Sequence, residues 1–250
     1  MDVRLIILSV AAALPTAAVF ILLRPLSQPE DYHDFADTRR ILGIPNFMDV
    51  TSNIAFVLPG IAGLLFVGGL AMKEGHAQYL APYIVFFAGL FLTGFGSAWY
   101  HLRPNNKTLV WDRLPMTIAF SGFFCSVLSE QAGTDVGNLS LLPMLIAGIS
   151  SVLYWSWSES RGAGDLRAYA LIQFLPMLLI PLMLFMYGAS FDYWPYIASL
   201  LGFYLLAKIF ESFDCMIYSR GNIVSGHTIK HIAAGAGTFS IIIMLQGRIA

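Results

Sequence analysis

Eight stretches of mostly apolar residues, each long enough to cross a bilayer, constrain this chain more than any other feature in it. A spanning helix needs on the order of 20 such residues. The stretches fall at 4–24, 47–71, 78–100, 108–131, 139–157, 167–188, 193–217 and 226–247. Short polar connections with turn residues separate them, such as Arg103-Pro104-Asn105-Asn106 and Arg161-Gly162-Ala163-Gly164, and only 25–46 is long. Charged residues make up 12% of the 250, about half the share usual in a soluble chain. There is no linker, repeat or low-complexity tract. Residues 1–250 therefore read as one all-α, polytopic membrane domain. Its core is a seven-helix transmembrane bundle over 47–247, and 4–24 adds a further N-terminal transmembrane helix.

The first segment has two readings. Arg4 precedes an apolar run ending at Leu23, as in a signal peptide. That run exceeds a usual signal core and no Ala-x-Ala site follows it, which favours an uncleaved helix. Orientation follows the Lys and Arg of the short loops. The odd-numbered loops hold Arg24, Arg39, Arg40, Arg103, Lys107, Arg161, Arg167 and Arg220, against Arg4, Lys73 and Arg248 in the even loops and the two termini, so the odd loops are expected in the cytoplasm. A formal net charge of −1 gives no pull toward nucleic acid. Cys125 and Cys215 lie inside apolar segments, where they read as buried small hydrophobes rather than a disulfide or a metal pair.

Polar and ionisable side chains inside membrane segments are costly, so each is a functional candidate. The third segment closes on Gly96-Ser97-Ala98-Trp99-Tyr100-His101, the fourth opens with Trp111-Asp112-Arg113, and the eighth opens with Gly226-His227-Thr228-Ile229-Lys230-His231. His227 and His231 are four apart and share a helix face, where two imidazoles can meet one metal ion. Ser97 and His101 stand in the same relation. His101, Asp112 and His227 all border odd-numbered loops, so they fall at one membrane face, just inside the cytoplasmic leaflet. Three histidines with an open position are the ligand set of a catalytic zinc, which brings the pKa of its bound water near neutrality. Asp112 is then a candidate acid/base and Ser97 a candidate oxyanion donor. Each residue also has a plain structural reading: interfacial histidines, a helix-capping Asp112, and a Ser97 bonded back to its own helix.

These residues resemble a known family. Gly96-Ser97-x-x-x-His101, then Asp112, Leu114-Pro115-Met116 and His227-x-x-x-His231, look like the alkaline ceramidases of the CREST superfamily of seven-helix membrane hydrolases, and Phe47 to Asn53 resembles the opening of that family's first core helix. The resemblance covers roughly 31–240 and leaves 4–24 outside. It implies zinc held by His101, His227 and His231, acid/base work by Asp112 and transition-state stabilisation by Ser97. The implied reaction is cleavage of the amide of ceramide, or of a similar N-acyl lipid, to a fatty acid and a long-chain base. Animal members carry an acidic, calcium-binding N-terminal stretch with Glu at the position of Asn46. Here Asp31, Asp34 and Asp37 offer oxygen ligands suited to calcium, but Asn46 lacks the charge. Ile229 and Lys230 replace bulky aromatics between the last two histidines, which bears on the fit to a ceramide headgroup.

Other polar residues have simpler expectations. His33 and His76 read as solvated, and Lys208 and Glu211 as a helix pair. Asp214 is weighed as an acceptor orienting a zinc histidine, against a plain structural pairing. Asp49 and Asn53 read as lining an entrance, and Phe86, Phe87 and Phe91 as lipid-facing or packing residues. Two functions outside catalysis stay open: a receptor-like or lipid-sensing protein of the same superfamily with a structural zinc, and a proton or ion transporter with Asp112, Glu211 and Asp214 as relay. Clustering at one face argues against the relay.

Overall fold

A computed structural model of the chain describes residues 2–72, 77–190 and 192–247. Helices follow one another along these residues: α1 (Val3–Leu22), α2 (Phe47–Thr51), α3 (Ile54–Ala71), α4 (Ala77–Leu102), α5 (Asn106–Ala132), α6 (Thr134–Ser160), α7 (Arg167–Tyr187), α8 (Trp194–Ser212), α9 (Asp214–Ser219) and α10 (Gly226–Gly247). A 3-10 turn covers Glu30–His33. The only β contact among the described residues is an isolated bridge between Ile41 and Ile44. The chain is all-α and polytopic, as its hydropathy requires.

Six spans among the described residues are long and apolar enough to cross a membrane: Val3–Leu22, Phe47–Ala71, Tyr79–Leu102, Thr134–Ser160, Arg167–Tyr187 and Gly226–Gly247. The protein is an integral multi-pass membrane protein. The other two expected segments are helices of 27 and 19 residues. They are the ones that carry Asp112, Arg113 and Glu130, and Lys208 and Glu211, so their hydropathy is diluted by the charges of most interest. Proline is tolerated inside α1 and α3 to α7, because membrane helices re-satisfy the freed carbonyls locally.

Two segments expected to be continuous are broken. The 47–71 segment turns at Ser52–Asn53, between α2 and α3. The Asp49 carbonyl, which a continuous helix would offer to the Asn53 amide, accepts instead from Asn53 Nδ2 at 2.7 Å and Ser52 Oγ at 3.1 Å. Short polar side chains compete with the helix for its own carbonyl, and here they win. The 193–217 segment breaks at Phe213, so Asp214 opens α9. The fifth segment starts earlier than expected, at Thr134, because Gly133 at φ 111° turns the chain directly from α5 into α6.

The helices sort into two compact units. One comprises Met1–Pro29, Val67–Gly89 and Met116–Ala189. Within it α1 packs on α7, fastened at both ends: Arg4 lies over the Tyr187 ring at 4.2 Å, and Arg167 donates to the Leu23 carbonyl at 2.6 Å. Phe86 and Phe87 are buried there, as packing residues. The second unit comprises Glu30–Phe66, Leu90–Pro115 and Ser190–Ala250. It contains α2, α8, α9, α10 and the site-bearing ends of α4 and α5. Its close approaches use glycine, as is usual where membrane helices meet: a methyl at Gly235 of α10 would run into the Ala55 backbone of α3.

Candidate metal centre

His101 sits in the last turn of α4, and His227 and His231 in the first turns of α10, all buried. Their ring centroids form a nearly equilateral triangle with sides of 4.7, 5.0 and 4.9 Å. One nitrogen from each ring lies within 4.8 Å of the others. His101 Nε2 and His227 Nε2 are 3.3 Å apart. Two nitrogens at the usual zinc distance in a tetrahedral site are separated by about 3.3 Å, so this gap matches that of two ligands on one ion. Three buried imidazoles this close together suit zinc or another borderline transition metal.

Each ring is held from behind. Ser52 Oγ lies 2.7 Å from His231 Nδ1. The ring of Phe35 packs against both His101 and His227 with centroids 4.7 Å away, and Phe56 approaches His231 at 5.7 Å. The start of α10 is fixed through its backbone, since the His227 amide donates to Asp214 Oδ1 at 2.7 Å. Asp214 Oδ2 also accepts from the Ala36 amide at 3.0 Å, which ties residues 30–37 beside the histidines. Asn46, buried with φ 49°, donates from Nδ2 to the His101 carbonyl at 2.8 Å and closes the end of α4.

Ser97 is buried one turn before His101 and lies within hydrogen-bonding reach of the Asp112 carboxyl. Asp112 is half-buried and lies in the second turn of α5, too far in to cap it. The cap is Asn105, whose Oδ1 accepts from the Lys107 and Thr108 amides at 2.9 and 3.1 Å. Beside the histidines runs a three-member ion network. Glu211 pairs with Lys208 at 2.7 Å, as its spacing requires, and also with Lys230 at 2.5 Å, which a reading confined to one helix could not foresee.

Several expectations need correction. His33 is not solvated: Nδ1 meets Tyr100 Oη and Nε2 meets Asn106 Oδ1, both at 2.9 Å. Asp49 and Asn53 do not line an entrance. They are 0% and 1% exposed, because the break after α2 turns them inward. Asp214 holds the histidine helix by a backbone amide rather than by an imidazole. Cys215 is exposed on the short helix α9, whereas Cys125 is buried as expected. Asp31 and Asp34 are exposed, and both Asp37 oxygens are engaged by the Arg39 guanidinium at 2.8 and 2.6 Å. Burial works to raise the Asp37 carboxyl, but the Arg39 hydrogen bonds outweigh it and hold the group below the usual carboxylate range. Asp31, Asp34 and Asp37 thus form no shared oxygen cage. Lys73, His76 and Arg248 lie outside the described residues.

Residues 42–248 match a family model described as Ceramidase. No curated protein matches the chain. The resemblance read from Gly96-Ser97, Asp112 and the paired histidines therefore extends over most of the sequence, and α1 lies outside the matched residues.

Proposed function

Because the chain belongs to the Ceramidase family, whose general activity is hydrolysis of a lipid amide, we propose that it is a zinc-dependent amidase of ceramide or a closely similar N-acyl lipid. The products are a fatty acid and a long-chain base. The observation that carries this reading is the buried histidine triangle at zinc-compatible spacing, with Ser97 one helical turn before His101 and within reach of Asp112. His101, His227 and His231 hold the ion, which when bound supplies an activated water and polarises the amide carbonyl.

The remaining work falls to side chains of this chain. Asp112 accepts the proton that the attacking water loses and delivers it to the amide nitrogen as the C–N bond breaks. One water is consumed and no redox partner is needed. Ser97 is held ready by Asp112, and turns its hydroxyl to the carbonyl oxygen as charge develops there. Phe35 and Phe56 limit water around the histidines, which strengthens these interactions. The Lys and Arg bias of the loops supports a site at the cytoplasmic face. On this reading the catalytic core is 47–247, and 4–24 is an additional helix of the same membrane domain.

Zinc analysis of detergent-purified protein tests the proposal. Near one zinc per chain is expected in wild type and none in His227→Ala/His231→Ala. Asp112→Asn should keep the zinc and lose about 10²- to 10⁴-fold in turnover of a ceramide analogue. Wild type without zinc would sink the reading. Zinc together with an unimpaired Asp112→Asn would instead make the metal structural, as in a lipid-sensing protein.

A further inference from the structure

The five residues of α2, with the turn that follows, face the histidine helix with two polar contacts that the proposed chemistry does not use. The first is direct. Ser52 Oγ lies 3.1 Å from the Asp49 carbonyl, to which it can donate, and 2.7 Å from His231 Nδ1. With its one hydrogen on the carbonyl, the serine oxygen accepts from Nδ1–H and leaves His231 a bare Nε2. A histidine ligand needs that tautomer, and the partner of its other nitrogen sets it. The Asp49 carbonyl also lies within hydrogen-bonding reach of the same imidazole.

The second contact is one helix turn away. The Asp49 carboxylate is fully buried, and its Oδ1 accepts from Thr228 Oγ1 at 2.7 Å and Ser225 Oγ at 3.2 Å. Thr228 lies between the two histidines. Ser225 caps their helix, with its Oγ accepting the Thr228 amide at 3.0 Å. The other carboxylate oxygen, Oδ2, has no hydrogen-bond partner among the described residues. A buried carboxylate with one oxygen committed to α10 and one left bare is a poor choice for stability alone.

We propose that Asp49 and Ser52 are positioning residues for the metal: α2 fixes the rotation of the α10 start through Asp49 and the tautomer of His231 through Ser52. This rests on the metal reading above. Ser52 lies in the break itself, so the break serves the site. Partners of this kind set metal affinity, and their loss typically weakens it 10- to 100-fold.

The test uses the full chain in lipid nanodiscs, with zinc affinity read by chelator competition. Thermal melting of the metal-stripped protein and the visible spectrum of the cobalt(II)-loaded protein are read alongside. Ser52→Ala should bind zinc about 10- to 100-fold more weakly, shift the cobalt bands, and melt like wild type when stripped. Ser52→Thr, which keeps the hydroxyl, should restore affinity. Asp49→Asn keeps the shape but weakens the hold on both hydroxyls, and should lie between. It carries the same comparison if Ser52→Ala does not fold. Wild-type affinity in folded Ser52→Ala overturns the inference, as does a loss of affinity that only parallels a loss of metal-free stability. Wild type that binds no zinc would overturn the metal reading itself, a separate failure.

Discussion

Replacing Gly96 with alanine should nearly abolish turnover while leaving the protein folded. Gly96 faces α5 at its closest approach. A methyl there would lie on the Trp111 carbonyl, with the Trp111 carbonyl carbon at 2.9 Å and Pro115 Cγ at 3.2 Å. The obstructing atoms are backbone and ring, so no rotamer change can relieve them. Ordinary carbon–oxygen contacts begin near about 3.3 Å, and the end of α4 must therefore move away from α5 by about 1 Å. Ser97 and Asp112 sit on either side of that seam. A hydroxyl–carboxylate bond of ordinary length, about 2.7 Å, ceases to be one when stretched that far. Misplacement of reacting groups by about 1 Å costs on the order of 100-fold. The stability cost is smaller, because overpacking of about 1–3 kcal/mol is offset by about 1 kcal/mol of helix propensity gained over glycine. Turnover of a fluorescent ceramide analogue at saturating substrate, alongside a thermal melt, separates the two effects. Gly202→Ala is the control, since nothing lies within 4 Å of its added methyl. Turnover of Gly96→Ala within about threefold of wild type would refute the claim that this close approach sets the Ser97–Asp112 geometry.

Two further outcomes follow from the charges. Glu211→Gln removes the shared counter-charge of Lys208 and Lys230 inside apolar helices, a change that typically costs about 3–5 kcal/mol. Lys208→Met leaves Glu211 paired with Lys230 and should melt several degrees above Glu211→Gln; the reverse order would refute the assignment of Glu211 as the shared anion. Asp37 is held below the usual carboxylate range by Arg39. Its contribution is therefore complete above the ordinary carboxylate pKa of about 4 and is lost as pH falls through its lower folded value. Hydrogen-exchange protection factors of residues 30–40, corrected for the intrinsic pH dependence of exchange, should fall on acidification below about pH 4 in wild type. In Asp37→Asn the protection should be low already and independent of pH, and equal profiles for the two would exclude the role.

The helices and the His227/His231 pair are legible in the sequence because both are written in short-range periodicity. Twenty apolar residues mark a span, and His227 and His231 share a face by spacing alone. What escapes such reading is set by competition for a single group or by a partner from another helix. Hydropathy runs unbroken through Ser52 and Asn53, yet their side chains take the Asp49 carbonyl from the helix and turn the chain there. Asp49 consequently reads as a polar residue at a membrane entrance until α10 is placed against it, and then it is a buried acceptor for Ser225 and Thr228. Phe35 carries no signal at all, since its place beside His101 and His227 depends on an irregular loop fastened by Ala36 to Asp214 and by His33 to Tyr100 and Asn106. The same physics explains why the motif residues are legible while the groups that aim them are not. Atoms that meet the reacting groups must have fixed identity and spacing. The groups that aim those atoms need only reach them, so they can come from any neighbouring backbone turn.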